Sequence, residues 1–248
     1  MVTKVVLIGF GEAGRSFVAN GLGATAAYDI DPLKRDGIAV HKILRDVLDG
    51  GLVILSLVTA DQALAAAQES AQHLTAGAFY FDMNSVAPET KRVAALAVEA
   101  AGGRYVDAAV MAPVDPARLA VPLALSGPHA ADGAGVLKDL GFSNVRILPG
   151  DVGRASSVKM IRSIMVKGVE ALTAEMMLAG DAAGVSDEVI ASLGGDWASK
   201  AAYNLERMAT HGRRRAAEME EAVQTLVALG VDPVMTRGTV IRQREMAA

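Results

Sequence analysis

The chain has 248 residues, with 24 lysines and arginines, 28 aspartates and glutamates, and no cysteine. Its length allows one large domain or two modest ones, and its formal charge of −4 argues against a strongly basic nucleic-acid-binding protein. The lack of cysteine excludes disulfide bonds, thiolate catalysis and cysteine-ligated metal sites. Apolar runs are too short for a membrane span and no signal peptide precedes the first strand, so we expect a cytoplasmic protein.

The N-terminal part of the chain alternates short apolar segments with helical ones. We predict strands at residues 5–8, 25–28, 38–40, 52–58, 79–82, 105–110, 123–126 and 145–148. We predict helices between some of them at residues 13–21, 61–70 and 88–101. Apolar strands without alternation are typical of parallel sheets that are buried on both faces, and the intervening helices imply right-handed βαβ crossovers.

The C-terminal part has helical periodicity and no strand signal. We predict a long helix at 156–179 and further helices at 187–193, 197–210, 213–229 and 233–245. The sequence therefore predicts an α/β protein: a Rossmann-type parallel-sheet domain at residues 1–152, followed by a smaller all-α domain at 153–248. Because so small a helical domain gains stability from further contacts, we expect a homodimer formed through it.

A glycine-rich turn follows the first predicted strand and precedes the first predicted helix. Its sequence matches the pattern G-x-G-x-x-G. In such turns the first glycine permits a tight turn, the second lets the backbone approach a pyrophosphate, and the third allows the helix to pack closely on the strand. The amides at the helix N-terminus would bind the phosphates. The candidate cofactor-binding residues of this turn are Gly9, Phe10, Gly11, Glu12, Ala13 and Gly14.

Asp29 bears on the choice of cofactor. It ends the second predicted strand, 20 residues after Gly9, where a carboxylate can accept hydrogen bonds from the ribose hydroxyls of adenosine. A carboxylate there would repel a 2′-phosphate, which favours NAD over NADP. Lys34 and Arg35 follow nearby and could swing towards such a phosphate. The expected cofactor is therefore NAD or NADP, with NAD favoured.

Together with this turn, four later segments resemble the β-hydroxyacid dehydrogenase superfamily, the relatives of 6-phosphogluconate and 3-hydroxyisobutyrate dehydrogenases. The segments are Leu55-Ser-Leu-Val-Thr59, Asp82-Met-Asn-Ser-Val-Ala-Pro88, Asp107-Ala-Ala-Val-Met-Ala-Pro113 and Gly153-Arg-Ala-Ser-Ser-Val-Lys159-Met-Ile-Arg-Ser163. The helices beyond residue 180 resemble the short C-terminal domain of one branch of that superfamily. The order and spacing of the segments carry the resemblance, since each segment alone is unspecific.

The resemblance implies roles for individual residues of these segments. Cofactor contacts are implied for Leu57, Val58, Thr59 and Asn84, and substrate contacts for Ser85, Met111, Ala112 and Ser163. Asn84 or Ser85 could instead cap the helix that begins near Pro88, and Ser163 could bond back to its own helix.

The substrate segment departs from the family pattern. Met111 stands where the family has a serine, and Ala112 and Pro113 stand where it has two glycines. These changes remove a hydroxyl and backbone N–H groups that would hold a substrate carboxylate. A bulkier or less polar substrate suits Met111 better than a small 3-hydroxy acid.

Lys159 is the candidate catalytic residue. It shares one polar face of the long helix with Ser163, Lys167 and Glu170, and that face could line a cleft between the domains. The nearly opposite face is an apolar stripe formed by Val158, Ile161, Met165, Val169, Leu172, Met176 and Ala179. A protonated amine can polarise a carbonyl and donate a proton, and a neutral amine can accept one. The alternative is a solvated helix lysine, and the resemblance favours catalysis.

These features lead us to expect an NAD(P)-dependent dehydrogenase or reductase acting on CH–OH groups. It would transfer a hydride between a nicotinamide cofactor and an alcohol or ketone, with a hydroxy acid as the expected substrate and Lys159 as general acid and base. Two alternatives stay open: an imine reductase and a non-catalytic dinucleotide-binding module. The scattered histidines lack ligand spacing, so we predict no metal site. The arginines at 213–215 form a solvated helix face or bind an anionic group, with Arg214 expected to pair with Glu218.

Overall fold

The computed structural model describes residues 4–24, 26–31 and 38–247. Lys34 and Arg35, considered above for phosphate binding, lie outside these residues. The chain divides into two compact units, Met1–Lys159 and Met160–Ala248. The boundary predicted after residue 152 falls inside the first unit.

Eight strands of the described residues form one sheet in the first unit. They are β1 (Val5–Ile8), β2 (Ala26–Tyr28), β3 (Ala39–His41), β4 (Val53–Ser56), β5 (Phe79–Asp82), β6 (Arg104–Val110), β7 (Leu123–Ser126) and β8 (Val145–Ile147). Their order is β3-β2-β1-β4-β5-β6-β7-β8. Neighbouring strands are parallel, except that β6 and β7 are antiparallel. The predicted Rossmann-type sheet is thereby confirmed, and β1, β4 and β5 are buried along their whole length.

The helices of the first unit lie between these strands. They are α1 (Glu12–Ala19), α2 (Leu44–Leu48), α3 (Ala63–Ala71), α4 (Pro88–Ala100) and α5 (Ala130–Asp139). The sequence does not predict α5, because Gly133 and Gly135 lower its helix propensity. A Cβ at Gly133 would lie 3.0 Å from the Phe81 ring, so this glycine lets the helix pack closely on the sheet, and packing outweighs propensity.

The second unit is all-helical, as predicted. The long helix α6 (Arg154–Ala183) begins in the first unit, and α7 (Ser186–Leu193), α8 (Trp197–Ala228) and α9 (Val234–Glu245) follow. The prediction of two helices at 197–210 and 213–229 is wrong, since α8 continues through Gly212. A Cβ at Gly212 would lie 2.3 Å from the carbonyl oxygen of Gln243. This glycine therefore serves the close approach of α9 and does not interrupt the helix.

The polar face of α6 beyond Lys159 is buried against charged partners within the second unit. Lys167 donates a hydrogen bond to Glu218 at 2.6 Å, and Glu170 accepts hydrogen bonds from Arg215 and, at 2.9 Å, from Gln243. Arg215 is thus buried, so the prediction of a solvated face is wrong for this arginine.

Arg214, the neighbour of that buried arginine, behaves as the sequence predicts. Its Nε lies 3.9 Å from Oε1 of Glu218, four residues further along α8. The predicted intrahelical ion pair is therefore confirmed.

The apolar stripe of α6 is exposed over much of its length. The exposed fraction is 49% for Ile161, 71% for Met165 and 55% for Leu172. Within the described residues, no helix combines the length and the apolar character needed to cross a membrane.

Candidate functional site

The carboxyl ends of the central strands bring the predicted segments side by side. Ile8 pairs with Ser56, Ser56 with Asp82, and Asp82 with Asp107 in the register of β1, β4, β5 and β6. The direction in which successive strands are added reverses between β1 and β4. Ligands of open α/β sheets bind outside the carboxyl ends of the strands at such a switch point. The glycine-rich turn and the loops after β4 and β5 therefore lie where a dinucleotide site is expected.

The glycines of the turn have different surroundings. Gly9 has a φ of +87°, and a Cβ there would lie 2.6 Å from the carbonyl oxygen of Leu57, so a side chain is excluded by both conformation and contact. A Cβ at Gly11 would meet no atom of the described residues within 4 Å. A Cβ at Gly14 would lie 3.1 Å from the carbonyl oxygen of Gly9. The turn thus packs on the sheet at its ends and presents open space at its centre.

Asp29 is hydrogen-bonded to the turn itself. Its Oδ2 accepts from the backbone amide of Phe10 at 2.7 Å, and its Oδ1 accepts from the amide of Asp31 at 2.8 Å. The residue is 6% exposed. The amide of Phe10 is therefore committed to Asp29, and the carboxylate fixes the turn as well as the end of β2.

Six of the predicted cofactor residues line one open cavity of about 180 Å³. These residues are Gly9, Gly11, Asp29, Leu57, Val58 and Thr59. Sequence reasoning missed the others on its wall: Tyr28, Ile30, Gln62, Ala65, Ala66 and Glu69. Several of the missed residues are spaced by three or four along α3 and its preceding turn, so helical periodicity from Thr59 onwards could have identified that face.

Two acidic residues influence the phenol on the wall of this cavity. The pKa of Tyr28 is raised, first by burial of the phenol and then by the negative charges of Glu69 and Asp29. The cavity thus has an acidic character on the side formed by β2 and α3.

Lys159 and Ser85 are in direct contact. The ammonium nitrogen of Lys159, near the start of α6, donates a hydrogen bond to Oγ of Ser85 at 2.6 Å. Ser85 lies three residues beyond the end of β5, and Lys159 is half-buried. The two residues that the resemblance assigns to catalysis and substrate binding are thus brought together by the fold.

Asn84 is buried beside the ends of β4 and β5. Its Nδ2 donates to Oγ of Ser56 at 2.9 Å and to Oδ1 of Asp82 at 2.8 Å. The alternative that Asn84 or Ser85 caps α4 is wrong, because the N-cap position is Ala87 and carries no side-chain cap. Oδ1 of Asn84 has no hydrogen-bond partner among the described residues.

Met111 and Ala112 lie in apolar surroundings after β6. The backbone amide of Met111 donates to the carbonyl oxygen of Pro122 at 2.8 Å. Its side chain packs against a buried cluster of Ala109, Ala124 and Ala155, and Ala112 packs against the main core. The amide of Met111 is therefore used within the loop.

Ser163 belongs to the second unit and is buried. No group of three or more metal-ligating side chains occurs within residues 4–24, 26–31 and 38–247. The absence of a metal site stays a prediction.

The residues present fit a dinucleotide. The centre of the glycine-rich turn is open at Gly11, and this glycine, the N-cap residue of α1, has no side chain to cap the helix. An open helix N-terminus with small residues is suited to phosphate binding. The unpartnered Oδ1 of Asn84 offers an acceptor close to Ser85.

Comparison with known proteins places the chain in a family. The family model described as domain of unknown function DUF1932 matches residues 181–246. A conserved hypothetical protein from Sinorhizobium meliloti 1021 is 36% identical, with a TM-score of 0.74 over 98% of this chain and 88% of that one. The conserved protein MTH1747, whose structure is described as similar to 3-hydroxyacid dehydrogenases, is 29% identical, with a TM-score of 0.72 over 98% of this chain and 96% of that one. This chain belongs to the β-hydroxyacid dehydrogenase superfamily.

More distant proteins complete the comparison. An uncharacterized 28.5 kDa protein from Methanothermus fervidus is 24% identical over 210 residues, which are 83% of this chain and 80% of that protein. Mycobacterium tuberculosis 3-hydroxyisobutyrate dehydrogenase with L-serine is 16% identical, with a TM-score of 0.76 over 99% of this chain and 94% of that one. An Aspergillus terreus reductive aminase with NADPH and ethyl-5-oxohexanoate is 18% identical, with a TM-score of 0.62 over 99% and 94%. The last two share the fold.

Proposed function

We propose that this protein is an NAD(P)-dependent oxidoreductase that interconverts an alcohol and a ketone, with Lys159 as general acid and base. The observation that carries the proposal is the hydrogen bond from Lys159 to Ser85, at the end of the strand next to the dinucleotide-type cavity. Family membership and the cofactor-bound reductase of the same fold support it.

Three parts of the first unit would hold the cofactor. The backbone at Gly11 and the N-terminus of α1 would bind the pyrophosphate, Asp29 would accept hydrogen bonds from the adenosine ribose, and Asn84 would accept one through Oδ1. A bound nicotinamide supplies the hydride chemistry, while the protein supplies placement and charge.

Lys159 would donate and accept the proton that accompanies hydride transfer. An ammonium has three N–H donors, and the one given to Ser85 orients the nitrogen. In the reductive direction the ammonium polarises a substrate carbonyl and donates the proton that the product hydroxyl requires. In the oxidative direction the neutral amine accepts that proton. Ser85 holds the nitrogen in place for both steps.

NAD is the favoured cofactor. Asp29 and Glu69 both line the cavity, and a carboxylate at either position disfavours an added 2′-phosphate by charge repulsion.

A hydroxy acid is the substrate expected from the family resemblance. The apolar contacts of Met111 and the use of its amide by Pro122 favour a bulkier, less polar carbonyl compound. The same observation favours a second candidate function, reduction of an imine, for which an apolar site is equally suitable.

We also propose that the protein forms a homodimer through its helical unit. The apolar stripe of α6 exposes Ile161, Met165 and Leu172 by about half or more. A second copy that packs on this stripe would remove these side chains from water, which stabilises association by about 25 cal/mol per Å² of apolar surface.

The test is a turnover assay with purified protein, with NADH and NADPH in turn, on matched ketones, keto acids and cyclic imines. Oxidation of the reduced cofactor is followed by absorbance. We expect turnover of a carbonyl compound that Lys159→Met abolishes without weakening cofactor binding, whereas the control Lys200→Met, on an exposed ion pair with Asp196, keeps it. Full turnover by Lys159→Met would refute the mechanism. Tight cofactor binding without any turnover would favour the non-catalytic module.

A further inference from the structure

A fully buried lysine lies among the polar groups at the ends of β5 and β6 and has no role in the proposed reaction. The ammonium of Lys91, on α4, donates to the carbonyl oxygen of Asp82 at 2.5 Å and to its Oδ1 at 2.8 Å. It also lies 3.7 Å from Oδ1 of Asp107. All three side chains are at most 1% exposed. Because burying charges is costly and apolar side chains often pack as stably, this cluster calls for a role beyond stability.

The first carboxylate of the cluster organises the turn that carries Ser85. Oδ1 of Asp82 accepts hydrogen bonds from the backbone amide of Asn84 at 3.0 Å and from its Nδ2 at 2.8 Å. Oδ2 accepts one from the hydroxyl of Tyr105 at 2.7 Å. Asp82 therefore fixes the backbone immediately before Ser85.

The second carboxylate organises the start of α6, which carries Lys159. Oδ2 of Asp107 accepts from the backbone amides of Gly153 at 3.1 Å and Ser156 at 3.0 Å. It also accepts from the hydroxyls of Ser156 and Ser126. A carboxylate at a helix N-terminus is favoured by the helix dipole. Asp107 therefore caps the N-terminus of α6, where Ser156 lies three residues before Lys159.

Lys91 is the charge that these two carboxylates share. Oδ1 of Asp107 has no hydrogen-bond partner among the described residues, and the ammonium of Lys91 is the cation that faces it. Without that ammonium, two anions would lie close together in a buried site, and like charges disfavour this arrangement. One carboxylate would take up a proton or the strand ends would move apart.

We propose that Lys91 is a positioning residue, which holds Asp82 and Asp107 so that Ser85 and the first turn of α6 place Lys159 in its hydrogen bond. An effect of Lys91 on turnover rests on the proposed function. An effect of Lys91 on the hydrogen bond between Lys159 and Ser85 does not, because that contact exists whatever reaction the protein catalyses.

The test measures the reactivity of individual lysine amines in the full-length protein. The wild type and Lys91→Met are labelled with trace acetic anhydride over a range of pH, and peptides are quantified by mass spectrometry. We expect Lys159 to label faster and its titration midpoint to move in Lys91→Met, with about a tenfold change in rate per unit of pKa at a pH below the midpoint. The exposed Lys200 serves as the internal reference in each sample.

The matched control is Lys167→Met, which removes a second buried lysine paired with a carboxylate. It should lower stability and leave the labelling of Lys159 unchanged. Unchanged labelling of Lys159 in folded Lys91→Met would overturn the proposal, as would an equal change in Lys167→Met. If Lys91→Met does not fold, Asp107→Asn, which preserves volume, decides the question by the same readout.

The role in catalysis has a separate readout. With a carbonyl substrate in hand, Lys91→Met should lower kcat at least tenfold and change the Kd for NADH by less than a factor of about three. An unchanged kcat would refute the catalytic consequence. If no substrate is turned over by the wild type, the proposed function fails while the labelling result still decides the role of Lys91.

Discussion

Nζ of Lys159 donates a hydrogen bond to Oγ of Ser85 at 2.6 Å, across 74 residues of sequence. The contact joins the start of α6 to the loop after β5, so it depends on the fold of the first unit and not on local sequence. By accepting this hydrogen bond, the hydroxyl of Ser85 can fix where the ammonium of Lys159 points and therefore which group it can give a proton to.

Substitution of Ser85 tests this contact. We expect Ser85→Ala to lower kcat by about one to two orders of magnitude, since a hydrogen bond to a charged group contributes about 1.5–3 kcal/mol. Ser85→Thr keeps the hydroxyl and should retain most of the activity. Steady-state kinetics and NADH titrations measure both variants. Equal loss of activity in the two variants would show that the hydroxyl of Ser85 does not contribute to kcat.

Alanine substitutions at two positions of the glycine-rich turn should differ in their effect on stability. Gly9→Ala forces a side chain into a left-handed conformation and against Leu57, so we expect the free energy of unfolding to fall by about 1–3 kcal/mol. Gly11→Ala adds a methyl group in open space and should leave thermal stability within about 0.5 kcal/mol.

Cofactor binding by Gly11→Ala completes that comparison. Because the methyl group would occupy space that the pyrophosphate needs, we expect at least a tenfold rise in the Kd for NADH, measured by fluorescence titration. A stable variant with unchanged affinity would place the phosphates elsewhere.

Asp29 predicts a preference for NADH that depends on its charge. Like charges about 4 Å apart repel by roughly 1–4 kcal/mol, depending on local screening, so Asp29→Asn should shift the ratio of Kd values towards NADPH by about tenfold. The asparagine keeps an acceptor for the amides of Phe10 or Asp31. Glu69→Gln should act in the same direction more weakly, since Glu69 is exposed. A wild type that binds NADPH more tightly than NADH would contradict this account.

The apolar stripe of α6 predicts the oligomeric state. Met165→Glu places a charge on a side chain that is 71% exposed in one copy, so the fold should persist while association is lost. Sedimentation velocity should show a dimer for the wild type and a monomer for the variant. Leu96→Glu, at a comparably exposed position on α4, is the control and should remain dimeric.

The sequence predicts the sheet well because its strands are buried on both faces. Residues 79–82 and 123–126 are predicted with the bounds that β5 and β7 have. Apolar runs bounded by polar residues determine such strands locally. The same local reasoning fails at α5 and α8, because glycines lower helix propensity and the packing of those helices is not visible in the sequence.

The candidate site divides in a similar way. The turn at Gly9 and Gly11 follows a recognisable spacing, and the cavity brings both together with Asp29. The cluster around Lys91 could not be predicted, since a lysine on the first turns of a polar helix is typical of a solvent-exposed position. Its burial results from where β5 and β6 end, which is a tertiary property.

In the proposed reaction, Lys159 acts on the carbonyl group beside a bound nicotinamide. The most direct measurement is a crystal structure of the protein with NADH and the ketone that it reduces best. We predict that Nζ of Lys159 lies about 2.6–3.2 Å from the ketone oxygen, with the ketone carbon about 3–3.5 Å from the nicotinamide ring. A complex in which that nitrogen points away from the ketone, with another donor on the oxygen, would contradict the account.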